Sequence, residues 1–255
     1  MKRKPVGVCK LCLKTKELRQ SHIIPKFAFN TLYPESGPRQ AIKIKTEPEP
    51  DMYRSNMQDG YKEYLLCGDC EGQLSVYENY VARLLRTRLQ PVSSKQFRVE
   101  EGINYKLFRL FTLSVLWRIS IAGDLNFHIN LGPHSEQLRQ KLLKENPGQP
   151  YQYGCALALI YAHGNSTAST DYIHIEDPYM SDGQQWVRIW FAGFAWIYRL
   201  SQLRFSPKIE PIFLNKRGDL PIAQGEISQI PALMSKAIAL GEAGKFSDAL
   251  PFKKQ

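Results

Sequence analysis

The sequence predicts an α+β protein in two parts, a small cysteine-containing part and a larger part with a mostly antiparallel sheet. Four of the five cysteines fall within the first 70 residues, and apolar helices and strand-like runs fill the rest. Charge divides in the same way. Residues 1–99 hold 18 Lys and Arg against 10 Asp and Glu, a net charge of +8, whereas residues 100–255 hold 16 against 14, a net charge of +2. A basic N-terminal third indicates a polyanionic partner, most simply nucleic acid, although such charge also serves solubility alone.

The cysteines form two C-x-x-C pairs, Cys9 with Cys12 and Cys67 with Cys70, while Cys155 lies in an apolar run as a small core residue. Each pair makes a tight turn, called a knuckle here, whose sulfurs point at one ion, so the two pairs predict a structural Zn²⁺ with four thiolate ligands. The long separation of the pairs is compatible with this, because loop-closure entropy grows slowly with length. The alternative is two unrelated pairs, one of them a redox motif. No secretory signal or membrane span is found, which predicts a cytoplasmic protein.

The small part, residues 1–92, is expected to contain a short strand with His22, the second knuckle, and then an amphipathic helix. From Glu71 to Leu89 apolar residues recur at helical spacing. These apolar positions are Leu74, Tyr77, Val81, Leu84 and Leu85. An insertion at about 33–61 is rich in Pro and Gly, and its alternating run Ala41–Lys45 predicts an exposed strand or hairpin that forms a flap over the site.

The larger part, residues 93–255, is expected to hold three helices and five strands. The helices are predicted at 103–122, at about 135–145 and at about 227–240. The strands are predicted at 153–162, 172–175, 186–192, 194–200 and 209–214. A tight bend or bulge is expected at Gly193 between two of these strands.

The segment from residue 9 to about residue 90 resembles the zinc-bearing, treble-clef branch of the HNH (ββα-metal) endonucleases. The resemblance is carried by C-x-x-C at 9–12, S-H-I-I-P at 21–25 and L-L-C-x-x-C-E at 65–71. It implies a ββα-metal domain and metal-assisted hydrolysis of a phosphodiester. His22 would then be the general base that takes a proton from the attacking water. A Mg²⁺ or Mn²⁺ ion would bind the scissile phosphate, and the zinc would be structural.

Two positions depart from the family pattern. Ser21 stands where the family usually carries a metal-binding carboxylate or histidine, and Glu71 stands where it carries Asn or His. Glu78 is two helical turns beyond Glu71, on the same face. Glu71 and Glu78 are therefore the candidate ligands of the catalytic metal, because carboxylates suit Mg²⁺ and Mn²⁺. The alternatives are that Glu71 only complements the helix dipole and that His22 is a structural, hydrogen-bonded histidine.

Basic side chains near the first knuckle and His22 are the candidate nucleic-acid contacts, with DNA favoured over RNA. They are Lys10, Lys14, Lys16, Arg19 and Lys26. The alternative is that they are simply solvated. The resemblance further implies a bacterial restriction or phage-defence system, in which residues 93–255 or a protein partner such as an ATPase control the nuclease. Two other functions compete with cleavage: a catalytically inactive zinc-finger module that binds nucleic acid or a protein, and a scaffold whose 103–122 helix docks a partner.

Overall fold

The computed structural model describes residues 4–30, 41–45, 51–55, 60–89, 97–124, 127–161 and 173–226. Within these residues the chain forms four α-helices and twelve strands. The helices are α1 (Lys26–Asn30), α2 (Gly68–Thr87), α3 (Tyr105–Ile121) and α4 (His134–Leu143), and a 3-10 helix spans Glu210–Ile212. The strands are β1 (Val6–Val8), β2 (Thr15–His22), β3 (Ala41–Lys45), β4 (Asp51–Ser55), β5 (Lys62–Cys67), β6 (Phe97–Glu100), β7 (Cys155–Tyr161), β8 (His174–Ile175), β9 (Tyr179–Ser181), β10 (Gln184–Phe191), β11 (Phe194–Arg199) and β12 (Leu220–Glu226).

The strands form three sheets that are antiparallel at every pairing except one. β1, β2 and β5 make a three-stranded sheet in that order, and β3 pairs with β4 as a hairpin. The large sheet runs β6-β12-β7-β11-β10-β8, with β9 also paired to β10. Its one parallel pairing joins β12 to β7. The predicted α+β class with a mostly antiparallel sheet is confirmed.

Strand β2 carries His22 at its end and leads through β5 into α2. The β2–β5 register runs from Leu18 opposite Cys67 to His22 opposite Lys62, with an irregularity between Arg19 and Gln20. Helix α2 begins directly after β5 and buries all five apolar positions that the sequence predicted for it. The predicted order of strand, knuckle and helix is therefore confirmed, with the helix starting at Gly68 rather than Glu71.

Helix α3 lies at the centre of the core. Every residue from 108 to 120 is buried, as expected for a helix that is apolar on all sides. Its first turn is capped by Asn104, whose side-chain oxygen accepts a hydrogen bond from the backbone amide of Leu107 at 3.0 Å. It packs on α2 and α4, and its Phe111 ring lies 5.4 Å from the ring of Trp196 in β11 and 6.0 Å from that of Phe27 in α1. Among the described residues, no helix combines the length and apolarity that crossing a membrane requires.

Contacts across the predicted boundary at residue 92 join the two parts of the chain. Gln73 donates to the backbone oxygen of Leu142 at 2.8 Å, and Arg139 donates to that of Leu11 at 2.6 Å. Buried apolar residues of both parts belong to one core cluster. Residues 90–96 lie outside the described residues, so the boundary itself stays a prediction.

The remaining sequence predictions have mixed outcomes. A hairpin in the insertion is confirmed by β3 and β4, and the bend at Gly193 is confirmed by a turn in which Ala192 and Gly193 both have positive φ. The strand predicted at 209–214 is wrong: the 3-10 helix lies there instead, and Pro211 has no backbone N–H to donate to a sheet. Strands β1, β6, β9 and β12 were not predicted, and the helix predicted at 227–240 lies outside the described residues.

Two glycines with positive φ offer a test of backbone packing. Gly218 has φ +94°, and a Cβ there would lie 2.5 Å from the backbone oxygen of Ile103; Gly102 has φ +68° with open space around it. We expect Gly102→Ala to cost about 1 kcal/mol from its left-handed backbone alone. Gly218→Ala should cost roughly 1–3 kcal/mol more, because the added methyl also meets backbone. Urea unfolding of the two variants measures the difference, and equal losses would contradict the close approach.

Candidate metal centre and the adjoining histidine site

The first knuckle is a tight turn between β1 and β2. The backbone amide of Cys9 donates to the oxygen of Lys14 at 3.0 Å, and that of Leu13 donates back to the oxygen of Cys9 at 2.8 Å. Leu13 closes the turn in the left-handed region, with φ 60°. The amide of Lys10 also donates to the oxygen of Leu65 in β5 at 2.8 Å. The first knuckle is thereby held against the strand that leads into the second.

The second knuckle joins β5 to α2. Cys67 is the last residue of β5 and precedes α2 with an extended backbone, and Cys70 lies in the first helical turn. This turn also carries Asp69 and Glu71, whose negative charges are favourable at a helix N-terminus. The transition from strand to helix therefore sets the spacing of the two sulfurs.

The four paired cysteines converge on one point. Their sulfurs all lie within 4.8 Å of one another, and Cys12 Sγ is 3.9 Å from Cys67 Sγ. Tetrahedral Zn²⁺ with Zn–S bonds of 2.3 Å requires sulfurs about 3.8 Å apart. Cys155 is buried in β7 and is not part of this group. The four cysteines could therefore hold a metal ion such as zinc.

The surroundings of the sulfurs favour a bound cation. Cys9, Cys67 and Cys70 are almost completely buried. Burial is the main cause that raises the pKa of the Cys70 thiol, and hydrogen bonds and charges of the neighbouring cysteines act in the same direction. Four thiolates this close repel one another unless a positive ion neutralises them, so a dication would bind the group and stabilise its deprotonated form.

Beside the metal centre, Ser21 and Glu71 meet. Ser21 is completely buried in β2, and its hydroxyl donates to a carboxylate oxygen of Glu71 in α2 at 2.6 Å. Burial raises the pKa of the Glu71 carboxyl, while the Ser21 hydrogen bond and the charge of Arg118 act against that rise. The two positions at which the sequence departs from the HNH pattern are thus in direct contact.

His22 and Glu78 are both held by Arg118, a residue of α3. Arg118 is 1 % exposed, and its Nη1 donates to the backbone oxygen of His22 at 2.7 Å. Its Nη2 lies 2.6 Å from a carboxylate oxygen of Glu78, an ion pair of opposite charges although Nη2 makes no hydrogen bond. The His22 side chain is half-buried at the end of β2. Arg118 therefore joins α3 to both the strand and the helix of the small part.

The predicted catalytic-metal residues come together only in part. Glu71 and Glu78 lie two turns apart on α2, as the helical spacing predicted, and the charge of Glu78 helps to raise the pKa of the Glu71 carboxyl. Among the described residues, however, the four cysteines are the one group of three or more His, Cys, Asp or Glu side chains placed to hold a metal ion. His22, Glu71 and Glu78 do not form such a group.

The predicted nucleic-acid contacts lie on the surface around the first knuckle. Lys10, Lys14, Arg19 and Lys26 are exposed, and Lys16 is half-buried. Lys16 donates to Asp69 at 2.6 Å, and this hydrogen bond raises the pKa of Lys16. Arg19 lies 3.8 Å from Glu17. Part of this positive charge is thus neutralised within the protein.

Two residues of the site were missed by reasoning from the sequence. Arg118 lies in the apolar helix predicted at 103–122, where a buried charged residue requires acceptors. Glu63 accepts hydrogen bonds from the backbone amides of Gly123 and Asp124 at 2.8 and 3.3 Å, which fixes β5 to the end of α3. The partners of both residues are distant in sequence. The sequence therefore indicates that such buried or charged groups need partners, but not which residues these are.

Comparison of the chain with protein-family models, with curated proteins and with solved structures finds no match in any of the three.

The metal centre predicts a selective dependence on four of the five cysteines. We expect the protein to bind one zinc ion and Cys9→Ala to lose it, with a large fall in thermal stability, because structural zinc contributes about 10–16 kcal/mol in small domains. Cys155→Ala is the matched control, since Cys155 is also buried but lies outside the cluster. Metal analysis and thermal unfolding of both variants test this. Retention of full zinc content by Cys9→Ala would contradict the four-thiolate site.

Proposed function

We propose that this protein is a metal-dependent nuclease of the HNH type that hydrolyses phosphodiester bonds, with DNA favoured over RNA. The observation that carries the proposal is the contact between Ser21 and Glu71 at the end of the strand that bears His22. In the HNH pattern the residue before the histidine usually ligates the catalytic metal, and here that position faces Glu71, a carboxylate that suits Mg²⁺ or Mn²⁺.

The Ser21–Glu71 pair has a spacing that suits one Mg²⁺ or Mn²⁺ ion. Neighbouring ligand oxygens around octahedral Mg²⁺ are about 3 Å apart, since each lies 2.0–2.1 Å from the ion. The two oxygens here are 2.6 Å apart, so a small widening would let both bind the same ion. Mg²⁺ is usually held by one or two carboxylates together with waters and substrate phosphate. Glu71 and Ser21 would hold it, and the ion would neutralise charge on the scissile phosphate.

His22 would act as the general base for the attacking water. A neutral imidazole can accept a proton near neutral pH, and His22 is half-buried at the end of β2. The structural zinc takes no part in this step, because four thiolates leave no open coordination position. Lys10, Lys14 and Lys26 are exposed next to the same strand and would contact the phosphate backbone.

The biological setting follows from the resemblance. We place the protein in the bacterial cytoplasm, in restriction or phage defence, where residues 93–255 or a partner such as an ATPase would restrain cleavage. The packing of α3 against α2 supports such control, because a change in α3 would reach the site through Arg118.

Cleavage of plasmid DNA tests the proposal. With Mg²⁺ or Mn²⁺, the wild-type protein should nick or cut supercoiled plasmid. His22→Ala should lower the rate by about 10²–10⁴-fold, the usual contribution of a general base. His134→Ala, which alters a histidine bonded to Tyr153 instead, is the matched control and should keep the wild-type rate. Equal cleavage by the wild type and His22→Ala would refute the catalytic proposal. No cleavage by either protein, even with the native protein partner added, would also refute it.

A second candidate function is binding of nucleic acid without cleavage. It is favoured by the internal pairing of the acids, since Ser21 donates to Glu71 and Arg118 neutralises Glu78. A site whose carboxylates already have partners gains less from a metal ion than one in which they are exposed to water.

Binding without cleavage predicts a steep dependence of DNA affinity on salt. The double change Lys10→Ala and Lys14→Ala should reduce the slope of log affinity against log salt by about 2, because each phosphate contact contributes about 0.9. Lys106→Ala is the control, since this exposed lysine in α3 pairs with Glu145 and should leave the slope unchanged. Fluorescence anisotropy at several salt concentrations measures it. A slope near zero in the wild-type protein would exclude phosphate binding by this surface.

A further inference from the structure

Arg118 stands out because it is a buried cation that reaches from α3 into the site of the small part. Its Nη1 donates to the backbone oxygen of His22 at 2.7 Å, its Nε donates to that of Ser114 at 3.3 Å, and its Nη2 lies 2.6 Å from Glu78. A guanidinium presents several donors in a rigid plane, so it can hold acceptors from three elements in a fixed relation. A lysine in its place has one charged nitrogen and no such plane.

The contact with His22 is made to the backbone rather than to the ring. The carbonyl of His22 is the last of β2, and the chain turns there through Ile23 and Ile24, which are completely buried. Fixing this carbonyl limits rotation of the His22 peptide and thereby the direction in which its side chain leaves the strand. The side chain itself is half-buried.

The contact with Glu78 distinguishes the two carboxylates, Glu78 and Glu71, by the partner that each has. Glu78 is 20 % exposed and forms a direct ion pair with Arg118, whereas the partner of Glu71 is the neutral hydroxyl of Ser21. A carboxylate whose charge is already neutralised is a poorer ligand for a second cation at the same place. The two acids therefore differ in their availability to a metal ion.

We infer that Arg118 is the positioning residue of the site: it fixes the strand end that carries His22, and Glu78 is its counter-ion rather than a metal ligand. The inference deepens the proposed nuclease function and depends on it for its activity readout. The other part of the inference, that Arg118 sets the orientation of His22, concerns geometry alone and can be measured without cleavage.

The test compares Arg118 with Arg109 in the same helix. Arg109 is equally buried and binds backbone oxygens of Gln152 and Tyr153, and nine residues of separation place it on the opposite face of α3. Arg118→Met and Arg109→Met therefore remove similar buried groups at opposite faces. We expect Arg118→Met to lower kcat by about 100-fold, with KM changed by less than about threefold, because misplacing a catalytic group by about 1 Å costs that much. Arg109→Met should keep wild-type kcat per zinc-loaded molecule.

Histidine-selective NMR provides the readout that does not need cleavage. His22→Ala identifies the His22 ring signals. Arg118→Met should shift or broaden these signals and leave those of His134 unchanged. Arg109→Met should do the reverse, since Tyr153, whose backbone Arg109 holds, is hydrogen-bonded to His134. Arg118→Lys serves if the methionine variant does not fold, and it should show the same loss of kcat and the same shift of the His22 signals.

Glu78→Gln separates the counter-ion role from a metal-ligand role. It should leave the Mg²⁺ concentration for half-maximal activity within about twofold, whereas Glu71→Gln should raise it by at least about tenfold, as for loss of a ligand. A larger rise for Glu78→Gln than for Glu71→Gln would overturn the counter-ion assignment. Unchanged His22 signals in both Arg118 variants would overturn the positioning role. If the wild-type protein does not cut, the proposed function fails, and the NMR comparison still decides whether Arg118 positions His22.

Discussion

The meeting of two cysteine pairs is the constraint on which the rest of the small part depends. Cys12 and Cys67 are 55 positions apart, yet their sulfurs lie 3.9 Å from each other. This closure places the turn after β1 against β5, and it fixes where α2 begins. Because Ser21 and Glu71 lie on β2 and on the first turn of α2, their hydrogen bond requires the same closure. A dication shared by the four thiolates would therefore stabilise the histidine site as well as the knuckles.

Helix α3 adds the second constraint, since it buries two arginines on opposite faces. Arg109 satisfies its charge with backbone oxygens, and Arg118 does so with the backbone of His22 and the carboxylate of Glu78. A buried cation without acceptors is strongly destabilising, so each arginine orders the segment that supplies its acceptors. On one face this segment is the turn just before β7, and on the other it is the end of β2. The larger part of the chain thus helps to shape the site in the smaller one.

Patterns of residues close in sequence predicted the elements that depend on local interactions. The apolar spacing from Leu74 to Leu85 gave the buried face of α2, and the two C-x-x-C pairs gave the cysteine cluster. The sequence could not show that β12 lies parallel to β7, because that pairing joins residues more than 60 positions apart. Arg118 was missed for the same reason, since His22 is 96 positions away from it. The helical spacing of Glu71 and Glu78 predicted that both lie on one face of α2. The sequence did not show that Arg118 of α3 forms an ion pair with Glu78.

The charges around Glu71 explain why a serine suits position 21. Glu71, Glu78 and Arg118 together carry one net negative charge when both acids are ionised, in surroundings from which water is largely removed. A carboxylate in place of Ser21 would lie at hydrogen-bond distance from Glu71 and add a second unbalanced charge. The hydroxyl instead donates a hydrogen bond to Glu71 and adds no charge. One net negative charge is then what a divalent ion and the phosphate of a substrate would meet, and the two together come close to balancing it. The departure at Ser21 is therefore compatible with a metal site that is completed only when nucleic acid is bound.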